Sequence, residues 1–586
     1  MRLVVSRNGY PADGDDFNIV FSGQWCVSDD IDGVAVANGA TIIEHPWGNS
    51  EQFHQDYQKI KLIYEEVLKK LSTHLNSIHG VNISQRGWEI FIGPWLRIFV
   101  NCIFERTMLI EEGVTNYNVD RVLVGNKKRA KNIAMDTRQF IKDQGLPYWN
   151  DCLSVEILQI IMPNVGVDVV SNDNNDTGYA VRREEGGASL KDVVKNILYR
   201  LDAFCSRNRQ IVIHRMGLSW RKEIKYMLQS KLIPHYFFPA LKVSDKNSDS
   251  ELNRTRLNIN FGEEKFEQLI SKLLPKYLPR IFFESFQDAF RTVHKYYPTS
   301  PKHIITGVAY YTDDIFKLFT AIQIDRGAKY TILQHGGNFG VSIINDEEEF
   351  MLKTADQFLT WGWRLPNSNE FSSKAEPSFS ALLSSYDDVT PDPNGYIIFP
   401  VSEWTQNVFR LFNSPLSFRQ LDYVDEISRL YELLPDNVKK QFKLRMQPNE
   451  RDWHLKERFI KLGMSDSILL NKGSFVQELS RSRLSVINTN STSILESLSL
   501  NFPTVILLNN EHWPLRDSVR EDYEELINAG IMYRDTKSAA SHIARVFDCT
   551  LDWWNSSLVQ EARLNFVSKF ARKNNKLSLR ECMLNE

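Results

Sequence analysis

Residues 484–508 read Leu-Ser-Val-Ile-Asn-Thr-Asn-Ser-Thr-Ser-Ile-Leu-Glu-Ser-Leu-Ser-Leu-Asn-Phe-Pro-Thr-Val-Ile-Leu-Leu. Two short apolar runs, Leu484–Ile487 and Thr504–Leu508, flank small hydroxyl and amide side chains followed by apolar residues at helical spacing. That pattern is strand, turn, helix, strand. A helix from about Ser493 would turn its free backbone N–H groups and positive dipole end toward an anion, with Asn490, Ser491, Thr492 and Ser493 around it. Glu496, one turn in, is placed for a ribose diol. Ser and Thr also cap helices that bind nothing, so ordinary capping would use the same residue types.

The alternation extends in both directions. His303–Val308, Tyr330–Leu333, Gln357–Thr360, Tyr396–Pro400, Phe442–Arg445 and Ser467–Leu470 are further strand candidates. Ser402–Phe412, Ser417–Leu434, Ser474–Ser482 and Arg516–Ala529 carry helical spacing. The region after about 390 therefore reads as one Rossmann-like domain with a parallel sheet. The first half is less regular: Phe17–Phe21, Ile157–Met162 and Gln210–His214 suggest strands, and Tyr57–Ile78 and Trp88–Phe104 suggest long helices. Two polar stretches, Ser171–Gly187 and Pro366–Asn394, read as loops, the second as an interdomain linker. The expected organisation is an N-terminal α/β domain over 1–365 with helical insertions, a linker over 366–394, a nucleotide-binding domain over 395–555, and a basic amphipathic helix over 556–586.

Bulk properties narrow the function. A chain of 586 residues needs more than one core. Lys plus Arg (70) nearly balances Asp plus Glu (73), which argues against a nucleic-acid binder held by bulk charge. The six cysteines, Cys26, Cys102, Cys152, Cys205, Cys549 and Cys582, form no close pair of metal or redox type, which fits a reducing cytoplasm. No signal-peptide core follows Met1, and the longest apolar stretch, Ile90–Phe104, carries Gly93-Pro94 and Arg97 and is too short to span a bilayer. A cytoplasmic protein is expected, and the basic stretch at 556–586 would suit either peripheral contact with the inner membrane face or packing on the first domain.

Three more loops follow predicted strands. Gln334-His335-Gly336-Gly337-Asn338-Phe339-Gly340 lets the backbone approach a ligand and presents His335 at a strand's carboxyl end, as a phosphate donor or an acid–base group; a glycine-rich turn with a structural histidine is the plainer alternative. Asp313 and Asp314 fall at a helix start after His303–Val308, where capping explains one of them. Arg445 ends a strand and could clamp a phosphate or carboxylate, or form a surface salt bridge; Glu403 stands at a predicted helix start after Tyr396–Pro400. These strand-end loops, taken together, suggest two Rossmann-like domains facing a nucleotide cleft, the GT-B glycosyltransferase plan.

The sequence also resembles a bacterial family of transferases associated with surface-polysaccharide and nonulosonic-acid synthesis. The resemblance spans nearly the whole chain and is carried by Ser22-Gly23-Gln24-Trp25-Cys26, His45-Pro46-Trp47, Leu75–Gly80, Ser84–Leu96, Gln334–Gly340, Trp361-Gly362-Trp363, Asn490–Glu496 with Pro503-Thr504, and Trp553-Trp554. It implies a GT-B-like, metal-independent enzyme without a cofactor. Its donor would be a CMP-activated acidic sugar such as Kdo or a sialic- or pseudaminic-type sugar, and its acceptor a cell-surface glycan or glycolipid. On that resemblance Asn490–Ser493 hold the phosphate, Glu496 the ribose, and Arg445, Glu403, Gln334, Gly336 and Gly337 the rest of the donor. Asp313, Asp314 and His335 face the reacting carbon, one aspartate as nucleophile. A CDP-glycerol or CDP-ribitol phosphotransferase is the competing enzyme, and a non-catalytic glycan-assembly protein the competing class.

Overall fold

The computed structural model describes residues 1–10, 18–28, 30–125, 133–170, 199–229, 254–412, 417–448, 451–469 and 473–574. The chain divides into two compact units, one of Met1–Met216, Ile233–Thr331 and Asn407–Arg410, the other of Gly217–Leu232, Ile332–Gln406 and Leu411–Glu586. Thr331/Ile332 is one of the boundaries between them, and none falls in 366–394. That stretch is more than a linker: it contains a strand, Ala375–Pro377, and a short helix, Ala381–Ser384. The expected loop Ser171–Gly187 lies outside the described residues.

The N-terminal unit opens with β1 (Arg2–Val4), β2 (Ile19–Phe21), β3 (Thr41–Ile42), β4 (Arg121–Val124) and β5 (Gly166–Val169), all parallel in the order β3-β2-β1-β4-β5. Two helices, Ser50–His79 and Gln85–Asn116, dominate its helical layer. Their joint explains two of the sequence marks. Gly80 ends the first helix at φ +65, and Ser84 caps the second by accepting from Gly87 N. Between them Asn76 Oδ1 accepts from Ile83 N at 3.0 Å and from the Trp88 indole at 2.8 Å. Trp88 and Trp95 are wholly buried, and rings of that size contribute roughly 4–6 kcal/mol each at about 25 cal/mol per Å². The segment Ile157–Met162, expected as a strand, is instead the end of a helix over Pro147–Ile161. A short apolar run does not separate the two states, and Pro147 at the first turn together with ten buried side chains and backbones along the helix settles it.

β6 (Ile211–His214) and β7 (His303–Thr306) pair in parallel within the same unit. β8 (Lys329–Leu333) straddles the division. In the C-terminal unit β9 (Gln357–Thr360) and β10 (Ala375–Pro377) also pair in parallel, and Gln334 N, just past β8, donates to Leu359 O at 2.9 Å.

The remaining strands are β11 (Tyr396–Pro400), β12 (Phe442–Arg445), β13 (Ile468–Leu469), β14 (Ser482–Ile487), β15 (Thr504–Leu507) and β16 (Met532–Tyr533). They form a parallel sheet in the order β13-β12-β11-β14-β15-β16. This is the doubly wound order: the chain builds outward from β11 to one side, then returns to build β14 onward on the other. The expected helix Ser402–Phe412 does not form. Backbone donors there go to side chains, Ser402 N to the Tyr423 hydroxyl at 3.0 Å and Trp404 N to Gln420 Oε1 at 2.8 Å. Within the N-terminal unit, the carbonyls of Val408 and Phe409 accept from Arg106 (2.7 Å) and Asn101 (3.1 Å). Those partners hold the segment extended despite its helical periodicity.

The C-terminal helix covers Ser557–Phe570, and residues 575–586 lie outside the description. It packs within its own unit, Phe566 against Tyr523 at 5.3 Å, with Arg563 Nη1 donating to Leu498 O at 3.0 Å. Among the described residues no helix is long and apolar enough to cross a membrane.

Candidate nucleotide site of the C-terminal unit

In a doubly wound sheet the two strands where the order reverses diverge at their carboxyl ends and leave a crevice for a ligand. Here those strands are β11 and β14. The loop after β14 begins with Asn488, which is 1% exposed and donates to Glu426 Oε2 at 2.9 Å. Asn490, 5% exposed, accepts from the Tyr523 hydroxyl at 3.1 Å. Each asparagine leaves one buried amide atom without a protein partner.

The helix then runs over Thr492–Ser499 with Ser491 as its N-cap residue. None of the hydroxyls around it caps the helix. Instead Thr489 and Ser491 share a hydrogen bond at 3.0 Å, and Ser491 and Ser493 share one at 2.8 Å. Thr492 Oγ1 accepts from Gly337 N at 2.9 Å. The side chains are spent on one another, so the N–H groups of the helix's first residues have no side-chain cap, the arrangement that anion sites use.

The glycine-rich loop lies directly on this helix start. A Cβ at Gly337 would stand 2.5 Å from Ser491 C and 2.6 Å from Thr492 N, so only glycine fits there. Gln334 fixes the loop from below: its Oε1 accepts from Trp361 N and the Trp363 indole, both at 2.8 Å, and its Nε2 donates to Gly336 O at 2.8 Å. That network accounts for the Trp361-Gly362-Trp363 mark and gives Gln334 a loop-holding position. His335 is half-buried beside Phe339, ring centroids 5.2 Å apart. Gly340, at φ +78, lets Trp363 close against the backbone, where a Cβ would come within 2.4 Å of the indole.

Glu496 and Arg445 meet in one electrostatic cluster. Burial pushes the Glu496 carboxyl above its usual range, opposed by the Tyr386 hydroxyl, which donates to it at 2.6 Å, and by Arg445. Burial lowers the Arg445 guanidinium, opposed by Glu478 and Glu496. Arg445 Nη2 donates to Gly473 O at 3.0 Å, and its Nε is buried with no protein partner. Glu403 follows β11 but starts no helix; it is buried and accepts from Trp453 N at 3.2 Å. Among the described residues no group of three or more His, Cys, Asp or Glu could hold a metal ion.

Asp313 and Asp314 belong to the N-terminal unit and part company there. Asp314, 5% exposed, accepts from Thr137 N (2.7 Å) and Thr137 Oγ1 (2.8 Å) and pairs with Lys317 at 2.6 Å. Asp313 caps the helix Asp314–Ile324 through Phe316 N and pairs with His214 at 2.9 Å. Sequence reasoning missed Tyr386, Tyr523, Glu426 and His214. Only His214 carried a signal, as a titratable residue closing a predicted strand.

Two solved structures are similar to the chain. One is the crystal structure of a glycosyltransferase from Rickettsia africae ESF-5, 14% identical, covering 66% of this chain and 92% of that one with a TM-score of 0.28. The other is WaaG, a glycosyltransferase involved in lipopolysaccharide biosynthesis, 9% identical, covering 61% of this chain and 95% of that one with a TM-score of 0.27. No curated protein matches the chain. The match that decides the family runs over residues 1–585, and on it the chain belongs to the LIC12162 family of transferases.

Proposed function

We propose that this transferase moves an acidic sugar, of the Kdo or nonulosonate type, from a CMP-activated donor to a cell-surface glycan or glycolipid. The observation that carries the reading is the helix start at Thr492, uncapped by its own hydroxyls, placed at the switch of a doubly wound sheet and overlaid by Gly337. Its N–H groups hold the donor phosphate, with Asn490 and Ser491 beside it, and Glu496 holds the ribose. Arg445 and His335 supply the charge and hydrogen-bond donors for the anionic part of the donor. Helix dipole and backbone donors stabilise the departing phosphate without reorganising, so no divalent ion is required for that charge.

Incubation with CMP-Kdo, CMP-sialic acid and CDP-glycerol, with release of CMP or of a CDP-derived product measured, tests the proposal. Turnover of a CMP-sugar, unchanged within about twofold by EDTA, is expected. Turnover of CDP-glycerol alone would establish the phosphotransferase instead, and no binding of CMP or CDP by calorimetry would leave the non-catalytic reading standing.

Tyr386 gives a second, finer test. Its hydroxyl occupies the carboxylate assigned to the ribose, so Tyr386→Phe should tighten CMP by roughly 3–10-fold, the scale of one modest hydrogen bond. Weaker binding in that variant would show that Tyr386 supports the nucleoside rather than competing with it.

A further inference from the structure

Glu348 is the third residue of the helix Asp346–Thr354, a place where an acidic side chain ordinarily serves the helix's own end. Here Asn345 does the capping, accepting from Glu348 N at 3.0 Å, and the Glu348 carboxylate is turned to other partners. Its side chain is 1% exposed, and both oxygens are engaged. Oε2 accepts from the backbone N of Gly340, the last residue of the glycine-rich loop, at 2.5 Å. Oε1 pairs with Arg516 Nη2 at 2.7 Å.

Arg516 ends the loop that follows β15, the neighbour of β14 in the sheet whose carboxyl edge carries the Thr492 helix start. That loop is itself built: Asn509 O accepts from His512 N and Trp513 N at 3.2 and 2.9 Å, Asn509 Oδ1 accepts from Glu511 N at 3.0 Å, and Trp513 is buried. Its end meets the chain just past the glycine-rich loop twice more. Arg516 N donates to Val341 O at 2.9 Å, and Leu515 and Ser342 form an antiparallel bridge. Ser342 Oγ in turn donates to Asn338 Oδ1 at 2.5 Å, with Asn338 at φ +68. Within the C-terminal unit the glycine-rich loop is therefore held by Gln334 at its start, by the Gly337–Thr492 bond in its middle and by Glu348 and Arg516 at its end. A loop fastened at one end can pivot, whereas one fastened at both presents Gly337 N in one place. The last of these fastenings is charge-assisted and its carboxylate is shut off from water, which makes it the strongest.

We propose that Glu348 and Arg516 are positioning residues of the nucleotide site. Their ion pair fastens the end of the glycine-rich loop to the loop after β15, which keeps Gly337 seated on the helix start that receives the donor phosphate. This assignment rests on the nucleotide reading above. Both residues act through the backbone of the glycine-rich loop and are assigned no contact with the donor. The phosphate end of the donor gains from the clasp, because a loop that is already ordered costs no further ordering at binding. The nucleoside end gains nothing from it.

The test compares CMP with cytidine by calorimetry on the full-length protein, well below its melting temperature. Wild type should prefer CMP. Arg516→Met should weaken CMP at least about tenfold and cytidine by less than about threefold, so that the preference for the phosphate falls. Glu348→Gln should do the same, and the double variant should lose no more than the worse single, because both residues act through one contact. Arg516→Lys, which keeps the cation, should stay within about threefold of wild type for CMP. Without nucleotide, the backbone amides of residues 336–341 should exchange faster in Arg516→Met than in wild type while those of β14 do not, a pattern that a merely destabilised fold would not give. CMP affinity in Arg516→Met within about threefold of wild type overturns the assignment, as does an equal loss for CMP and cytidine. A wild type that binds neither compound, or binds both alike, refutes the nucleotide reading itself, and the assignment falls with it.

Discussion

Gly337→Val is expected to weaken CMP binding at least tenfold, a loss of about 1.4 kcal/mol or more. The added Cβ meets Ser491 C at 2.5 Å and Thr492 N at 2.6 Å, and these are backbone atoms that no rotamer change can move aside. Relief requires the glycine-rich loop to lift from the helix start, which also breaks the Gly337 N to Thr492 Oγ1 bond and opens the first N–H groups to water. Overpacking of this kind costs about 1–3 kcal/mol of stability, so the protein should still fold. Gly336→Ala is the internal control, because its Cβ would meet only Thr492 Oγ1 at 3.3 Å and the Phe339 ring at 3.9 Å. Calorimetry with CMP and a thermal melt on both variants decide the matter. Equal affinity in Gly337→Val and wild type would separate the loop from the phosphate site.

Lys317→Met should destabilise the protein by about 3–5 kcal/mol, the scale for removing one partner of a buried ion pair. Lys317 has no exposed side-chain surface and Asp314 has 3%, with Nζ and Oδ1 2.6 Å apart. Burial pushes the carboxyl up and the amine down, each toward its neutral form, and the partner's charge is the largest effect that opposes this. Without the lysine the carboxylate must take up a proton or sit unpaired in the core. Asp314→Asn combined with Lys317→Met leaves no lone charge and keeps an acceptor for Thr137, so the double variant should recover part of the loss. Denaturant unfolding measures both. A cost below about 1 kcal/mol for Lys317→Met would show that the site relaxes or admits water. The two adjacent aspartates, alike in sequence, therefore answer different demands: Asp314 secures a helix inside the N-terminal unit, and Asp313 faces His214.

Much of the C-terminal unit was legible in the residues. Its central strands β11, β14 and β15 are short and buried along almost their whole length, so they stand out as continuous apolar runs, and the five predicted runs from Tyr396 to Leu508 fall on β11–β15. The N-terminal sheet was harder to read because β1, β3 and β5 are two to four residues long, too short to show a period. Local pattern also misled at Ser402–Phe412, where partners distant in sequence hold the backbone open, and at Ile157–Met162, where a six-residue stretch with five apolar side chains is compatible with either state.

Sequence alone determined that residues 488–496 form a strand-to-helix turn rich in hydroxyls, because hydrophobic period and turn chemistry are local properties. Tertiary structure decided what that turn does with its hydroxyls. Whether Ser491 caps its helix or bonds Ser493, whether Gly337 reaches Thr492 across 155 positions, and which of two neighbouring aspartates is buried against a lysine are questions of packing. No spacing rule encodes them, since each depends on which groups remain to satisfy a buried polar atom once the sheet has closed around it.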